Sequence, residues 1–111
     1  MRTMIMKSMG MLMLVCASAA AARAHAAEVN VSIKNYAFAP KEIMVHAGDI
    51  VVWTNRDNVA HSVATLDKTF ASPVLNPGQS YRFTFRKTGN YAYRCGVHPF
   101  MLGAVKVSPA D

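Results

Sequence analysis

Between residues 29 and 107 the apolar side chains fall on every second position, in short runs that turn signals interrupt. Val29, Val31 and Ile33 alternate with polar neighbours, and so do Ile43, Val45 and Ala47, then Tyr81, Phe83 and Phe85, then Tyr91, Tyr93 and Cys95. A period of two puts one side of each run on a core and the other in solvent, which is the pattern of a half-buried strand. Met44 and His46 accordingly belong on an outer face. Ile50 to Thr54 is a β-branched, apolar run, and Trp53 within it is expected in the core. Ala47-Gly48-Asp49, Asn76-Pro77-Gly78 and Lys87-Thr88-Gly89-Asn90 supply the turns. A last strand is expected from about Gly103 to Val107. No stretch carries helical periodicity, and no repeat or linker divides the chain. About eight short strands with frequent turns predict an all-β domain, an antiparallel sandwich or small barrel.

The first quarter of the 111 residues follows other rules. Arg2 and Lys7 are followed by an apolar run from Met9 to Ala22, and Ala24-His25-Ala26 offers the small-x-small pattern of a signal-peptidase site. Residues 1–26 are therefore expected to be a cleaved signal peptide and 27–111 the mature domain. The run is short for a membrane span. Val15 is too bulky before Cys16 for a lipoprotein signal.

Cleavage changes what composition means. Six of the eight methionines leave, and only Met44 and Met101 remain. Nine basic residues then face six acidic ones, a net charge of +3. So mild a balance suits steering toward an acidic partner and argues against wrapping nucleic acid. Cys16 leaves as well, so Cys95 is the one cysteine of an exported domain of 85 residues. It has no partner for an internal disulfide, and an unprotected exported thiol would be oxidised. Something must hold it.

Cys95, His98 and Met101 form C-x2-H-x2-M in the loop between two strands, and His61 lies on a separate segment. A thiolate, two imidazoles and a weak thioether form the ligand set of a mononuclear type 1 copper site. Thiolate and thioether are soft enough for Cu(I), while imidazole suits Cu(II). Each residue alone has an ordinary explanation: a buried cysteine is often just a small hydrophobe, and a methionine a packing residue. Their joint spacing beside an otherwise unexplained thiol favours copper. Zinc accepts cysteine and histidine too, but its structural sites rarely use methionine. A set closed by protein ligands leaves no place for substrate.

With these residues in place, the chain resembles the cupredoxins, and among them the amicyanins most closely. The resemblance rests on Gly48-Asp49, Trp53-Thr54-Asn55-Arg56, His61, Gly89-Asn90-Tyr91-Ala92-Tyr93-Arg94-Cys95 and His98-Pro99-Phe100-Met101. The short ligand loop is shared with plastocyanins. The resemblance implies an eight-stranded Greek-key β-sandwich, copper held by His61, Cys95, His98 and Met101, with Met101 axial, and electron shuttling in the periplasm. It also implies that His98 emerges through an apolar patch, here Val59, Ala60, Val97, Pro99 and Phe100, with Arg56, Lys68 and Arg94 placed to steer an acidic face. The donor it implies is a dehydrogenase, such as an amine dehydrogenase, and the acceptor a c-type cytochrome.

Two positions depart from the family pattern. Ser62 stands where Asn is common, and its shorter hydroxyl is expected to brace the two ligand segments more loosely. Val97 stands where Pro is common, so it keeps a backbone N–H. That N–H is expected to donate to the Cys95 sulfur beside one from Ser62 and to favour Cu(I).

Three function classes can be compared. The leading one is a soluble, monomeric one-electron carrier, not an enzyme. The alternative is a periplasmic copper-binding or copper-delivery protein, but such proteins favour exposed Met or His clusters, and only Met44 and His46 lie outside the site. A copper reductase or oxidase would need a second centre, for which only His46 is left.

Overall fold

The structure, a computed structural model, describes residues 26–110. The leader expected over residues 1–26 lies outside them apart from Ala26. Among the described residues no helix is long and apolar enough to cross a membrane. Eight strands follow one another: β1 (Glu28–Lys34), β2 (Ala37–Ala39), β3 (Glu42–His46), β4 (Ile50–Asn55), β5 (Ala64–Thr65), β6 (Ser80–Thr84), β7 (Gly89–Arg94) and β8 (Leu102–Ser108). They form two four-stranded sheets, ordered β2-β1-β4-β6 and β3-β8-β7-β5. From β2 to β7 each step along the chain crosses from one sheet to the other.

The period-two alternation is realised in burial. Val31 and Ile33 of β1, Ile43 and Val45 of β3, Tyr91 and Tyr93 of β7, and Val105 and Val107 of β8 all face the core, while Met44 and His46 face out. The expectation of antiparallel pairing is corrected at two places, where β1 pairs with β4, and β3 with β8, in parallel. Alternation tells which side chains are buried and is blind to strand direction. Crossing between sheets after nearly every strand is what lets like-directed strands become neighbours.

Trp53 sits fully buried at the centre of the sandwich, its ring packed against Phe70, Tyr81, Phe85 and Tyr93 at centroid distances of 5.4–6.5 Å. Truncating such a residue to Ala costs on the order of 3–5 kcal/mol. Tyr93 packs in turn over Gly103, its partner across β7 and β8. An added Cβ at Gly103 would meet that ring at 2.3 Å, so only glycine fits there. The core therefore fixes β7 tightly, and β7 carries Cys95 at its end.

Candidate metal centre

The C-terminal ends of β1, β4 and β7 converge at one end of the sandwich, and the site is built there from β4 outward. Asn55, fully buried as the last residue of β4, shapes the connection that follows. Its side-chain amide donates to the carbonyls of Val59 (2.8 Å) and Leu75 (2.9 Å), and its Oδ1 accepts the Asp57 N–H (2.9 Å). The loop is thereby folded back so that His61 enters a two-way backbone bridge with Leu75, at 3.0 and 2.7 Å. His61 is fully buried.

Asp57 orients that ring. Its Oδ2 lies 2.8 Å from His61 Nε2. Burial raises the carboxyl pKa, but the amide of Tyr36, the His61 ring and the amide of Asn35 outweigh it and hold the group at about 2. An ionised carboxylate can only accept, so His61 Nε2 carries the proton and Nδ1 presents its lone pair to the site. A carboxylate behind a histidine in this way fixes the tautomer and raises the basicity of the free nitrogen. Sequence reasoning gave Asp57 no role. A carboxylate four residues before His61 was the available signal, but nothing in the sequence shows that it is buried.

Cys95 follows β7 directly and is fully buried, as expected of a side chain in register with Tyr91 and Tyr93. The loop after it is a tight cap: Cys95 N–H donates to the Met101 carbonyl (3.1 Å) and Met101 N–H to the His98 carbonyl (3.0 Å). Two backbone amides donate to the Cys95 sulfur, from Ser62 and from His98, each at 3.3 Å. The Ser62 donor is the expected one. The second is His98 and not Val97, because the chain turns at once after Gly96 and brings the amide three residues on, rather than two, over the sulfur. Ser62 also braces the two segments directly, its hydroxyl accepting the Gly96 N–H at 2.9 Å. Its shorter reach is matched by glycine, since a Cβ on Gly96 would lie 2.8 Å from that hydroxyl.

His61, Cys95 and His98 form a group whose donor atoms all lie within 4.8 Å of one another. His61 Nδ1 is 3.2 Å from His98 Nδ1 and 3.7 Å from the Cys95 sulfur, which is 3.9 Å from His98 Nδ1. A point equidistant from these three atoms lies about 2 Å from each, close to a metal–imidazole bond (about 2.0–2.1 Å) and slightly short of a metal–thiolate bond (about 2.3 Å). The trigonal arrangement of one soft thiolate and two imidazoles fits copper. Met101, the fourth expected ligand, is buried at the end of the same cap.

Of these three, only His98 is not fully enclosed. Around it Val97, Pro99 and Phe100 are exposed, Phe100 at 69%, while Val59 and Ala60 are half-buried. Tyr36, absent from the expected patch, stands among them. It lies in the β1–β2 turn, where Asn35 and Tyr36 have φ of 53° and 56°. The left-handed region costs a residue with a side chain roughly 1–2 kcal/mol, with Asn better tolerated. Lys34, whose Nζ donates to the Arg56 carbonyl at 3.1 Å, and Arg56 and Arg94 bring positive charge to this end.

A two-sheet β-sandwich presenting one thiolate and two imidazoles at one end, Cys95 and His98 from the cap and His61 from the segment after β4, defines a copper domain of the blue-copper class. A family model described as a cupredoxin-like domain matches residues 7–107, and the chain belongs to that family. It is 34% identical over 82 residues to amicyanin from Paracoccus denitrificans, an alignment covering 69% of this chain and 63% of that relative's length. The chain therefore spans less than two thirds of that relative. A Cu(I) amicyanin variant superposes with a TM-score of 0.70 at 31% identity, covering 79% of this chain and 89% of the other. A copper-containing nitrite reductase from Thermus scotoductus gives the same TM-score at 30% identity, over 76% of this chain but 23% of the enzyme's.

Proposed function

We propose that the protein is a soluble periplasmic blue copper protein that carries single electrons between redox partners. His61, Cys95, His98 and Met101 would hold one copper ion, Met101 as a weak thioether ligand, and residues 1–26 would direct export and be removed. The observation that carries this reading is the triangle of donor atoms with a single ligand edge reaching toward solvent through an apolar surface.

Bound copper supplies a one-electron couple between Cu(II) and Cu(I). The chain's own part is to hold the donors nearly fixed, so that little rearrangement accompanies the electron. Asp57 fixes the His61 ring, and the amides of Ser62 and His98 draw charge from the thiolate. Burial of Cys95 and His61 excludes water. His98 offers the shortest route to the surface, and Phe100, Pro99 and Val97 around it give a dry, small contact suited to a brief encounter. Arg56, Lys68 and Arg94 would steer an acidic docking face. A dehydrogenase, such as an amine dehydrogenase, would be the donor and a c-type cytochrome the acceptor, as the likeness to amicyanin suggests. The enzyme reading has less support, because the likeness to the nitrite reductase covers only one domain's share of that chain.

The test is the visible spectrum of the purified protein with Cu(II), followed by electron self-exchange. An intense blue thiolate-to-copper band with fast self-exchange supports the carrier. A colourless complex overturns it.

A further inference from the structure

Tyr36 occupies a backbone position that favours another residue. With Asn35 it forms the two-residue connection closed by the Lys34–Ala37 pair, and both have positive φ. Such a hairpin turn favours Asn followed by Gly. Asn35 suits the first place, whereas a bulky aromatic in the second is an outlier. Strain of this kind persists only where the surroundings over-determine it, and it clusters at functional sites. Here the surroundings are the Asp57 carboxylate, which accepts the N–H of Asn35 at 2.7 Å and that of Tyr36 at 3.0 Å. The same carboxylate holds His61.

The strained backbone delivers an aromatic ring to one place. Tyr36 meets His61 edge-on (centroids 5.4 Å, interplanar angle 88°) and His98 edge-on (4.9 Å, 79°), and it stacks on Phe100 (6.4 Å, 22°). It remains 44% exposed, so it lies between solvent and both imidazoles. Gly or Asn would make the turn at less cost, but neither reaches the imidazoles.

We propose that Tyr36 is a lid on the metal centre. Its ring clamps the His61 and His98 imidazoles in their ligating orientation and covers the site beside the exposed His98 edge, which slows metal loss. The proposal rests on the copper reading above. His98 cannot swing outward without displacing a ring that is fixed by its own backbone and by Phe100.

Two measurements test it. Reduced, copper-loaded protein is mixed with excess Cu(I) chelator and the release rate followed. Separately, metal-free protein is treated with iodoacetamide, and labelling of Cys95 is timed by peptide mass. Tyr36→Asn, which suits the turn and removes the ring, is expected to release Cu(I) at least about tenfold faster and to label Cys95 faster, while Tyr36→Phe stays within about twofold of wild type in both. Phe100→Ala, which leaves the turn untouched, is expected to speed release by a smaller factor. A merely structural Tyr36 would change thermal stability alone. Tyr36→Asn matching wild type in both measurements, or Tyr36→Phe behaving like Tyr36→Asn, overturns the lid. A wild-type protein that takes up no copper overturns the copper reading together with it.

Discussion

The carboxylate of Asp57 accepts the Nε2–H of His61 at 2.8 Å, and so decides which nitrogen of that ring is free to bind a metal. The same two oxygens cap the amides of Asn35 and Tyr36. Asp57→Ala would strand three donors at once. It is expected to lower copper affinity about 10–100-fold and stability by at least about 2 kcal/mol. Asp57→Asn, which keeps one acceptor oxygen, is expected to fall between. Competition against a chelator and urea unfolding measure the two effects.

Ser62 and Gly96 are complementary in size. Gly96→Ala would set a Cβ 2.8 Å from the Ser62 hydroxyl, and is expected to cost about 1–3 kcal/mol as overpacking. In a Ser62→Ala background that obstacle is gone. The two substitutions should therefore couple by about 0.5–3 kcal/mol in a double-mutant cycle read by thermal unfolding, where additive costs would show that the two groups do not meet.

Val97 was the expected second donor to the Cys95 sulfur, and His98 takes that place. Val97→Pro therefore leaves both N–H···S bonds intact. Voltammetry is expected to show a shift well under about 59 mV, the equivalent of tenfold in a one-electron equilibrium. A large fall would mean that the Val97 amide does bear on the thiolate.

Tyr93 links the core to alkaline stability. Burial pushes its phenol up to about 12, so the folded state keeps a proton that the unfolded chain gives up near 10. The stability this contributes is fully present below pH 10 and is lost as pH rises toward 12, in all about 3 kcal/mol. Its buried hydroxyl makes no well-formed hydrogen bond, and its contact with Trp53 offsets only part of the effect of burial. Tyr93→Phe is expected to be at least as stable as wild type at pH 8, and to lose less than wild type between pH 10 and 12, in urea melts at both ends of that range.

The legible parts of this protein were those written locally. Cys95, His98 and Met101 lie within one turn of the chain, so their spacing could be read directly, and alternation put Cys95 on the same face as Tyr91 and Tyr93. The β2 and β5 strands, of three and two residues, are too short for a period of two to register, although the count of eight anticipated them. Asp57 and Tyr36 escaped for a different reason. Asp57 lies four residues from His61, but what buries it is the β1–β2 turn, whose amides it accepts from more than twenty residues away, and Tyr36 acts through both imidazoles at similar or greater separation. The Asn-Tyr pair also lacks the glycine that marks such a turn in sequence.

The cap from Cys95 to Met101 is closed by its own backbone bonds, whereas His61 is anchored by Asn55, Asp57 and Leu75 in a separate region. Heritable variation in the two has different consequences. Val97 and Pro99 in the cap are exposed and touch neither the Trp53 core nor the Gly96–Ser62 contact, so a lineage can vary the surface around His98 there at little risk to folding. A change at Asn55 or Asp57 strikes the scaffold and the site together. Descendants of this chain should therefore diverge first at Val97 and Pro99, and last around His61.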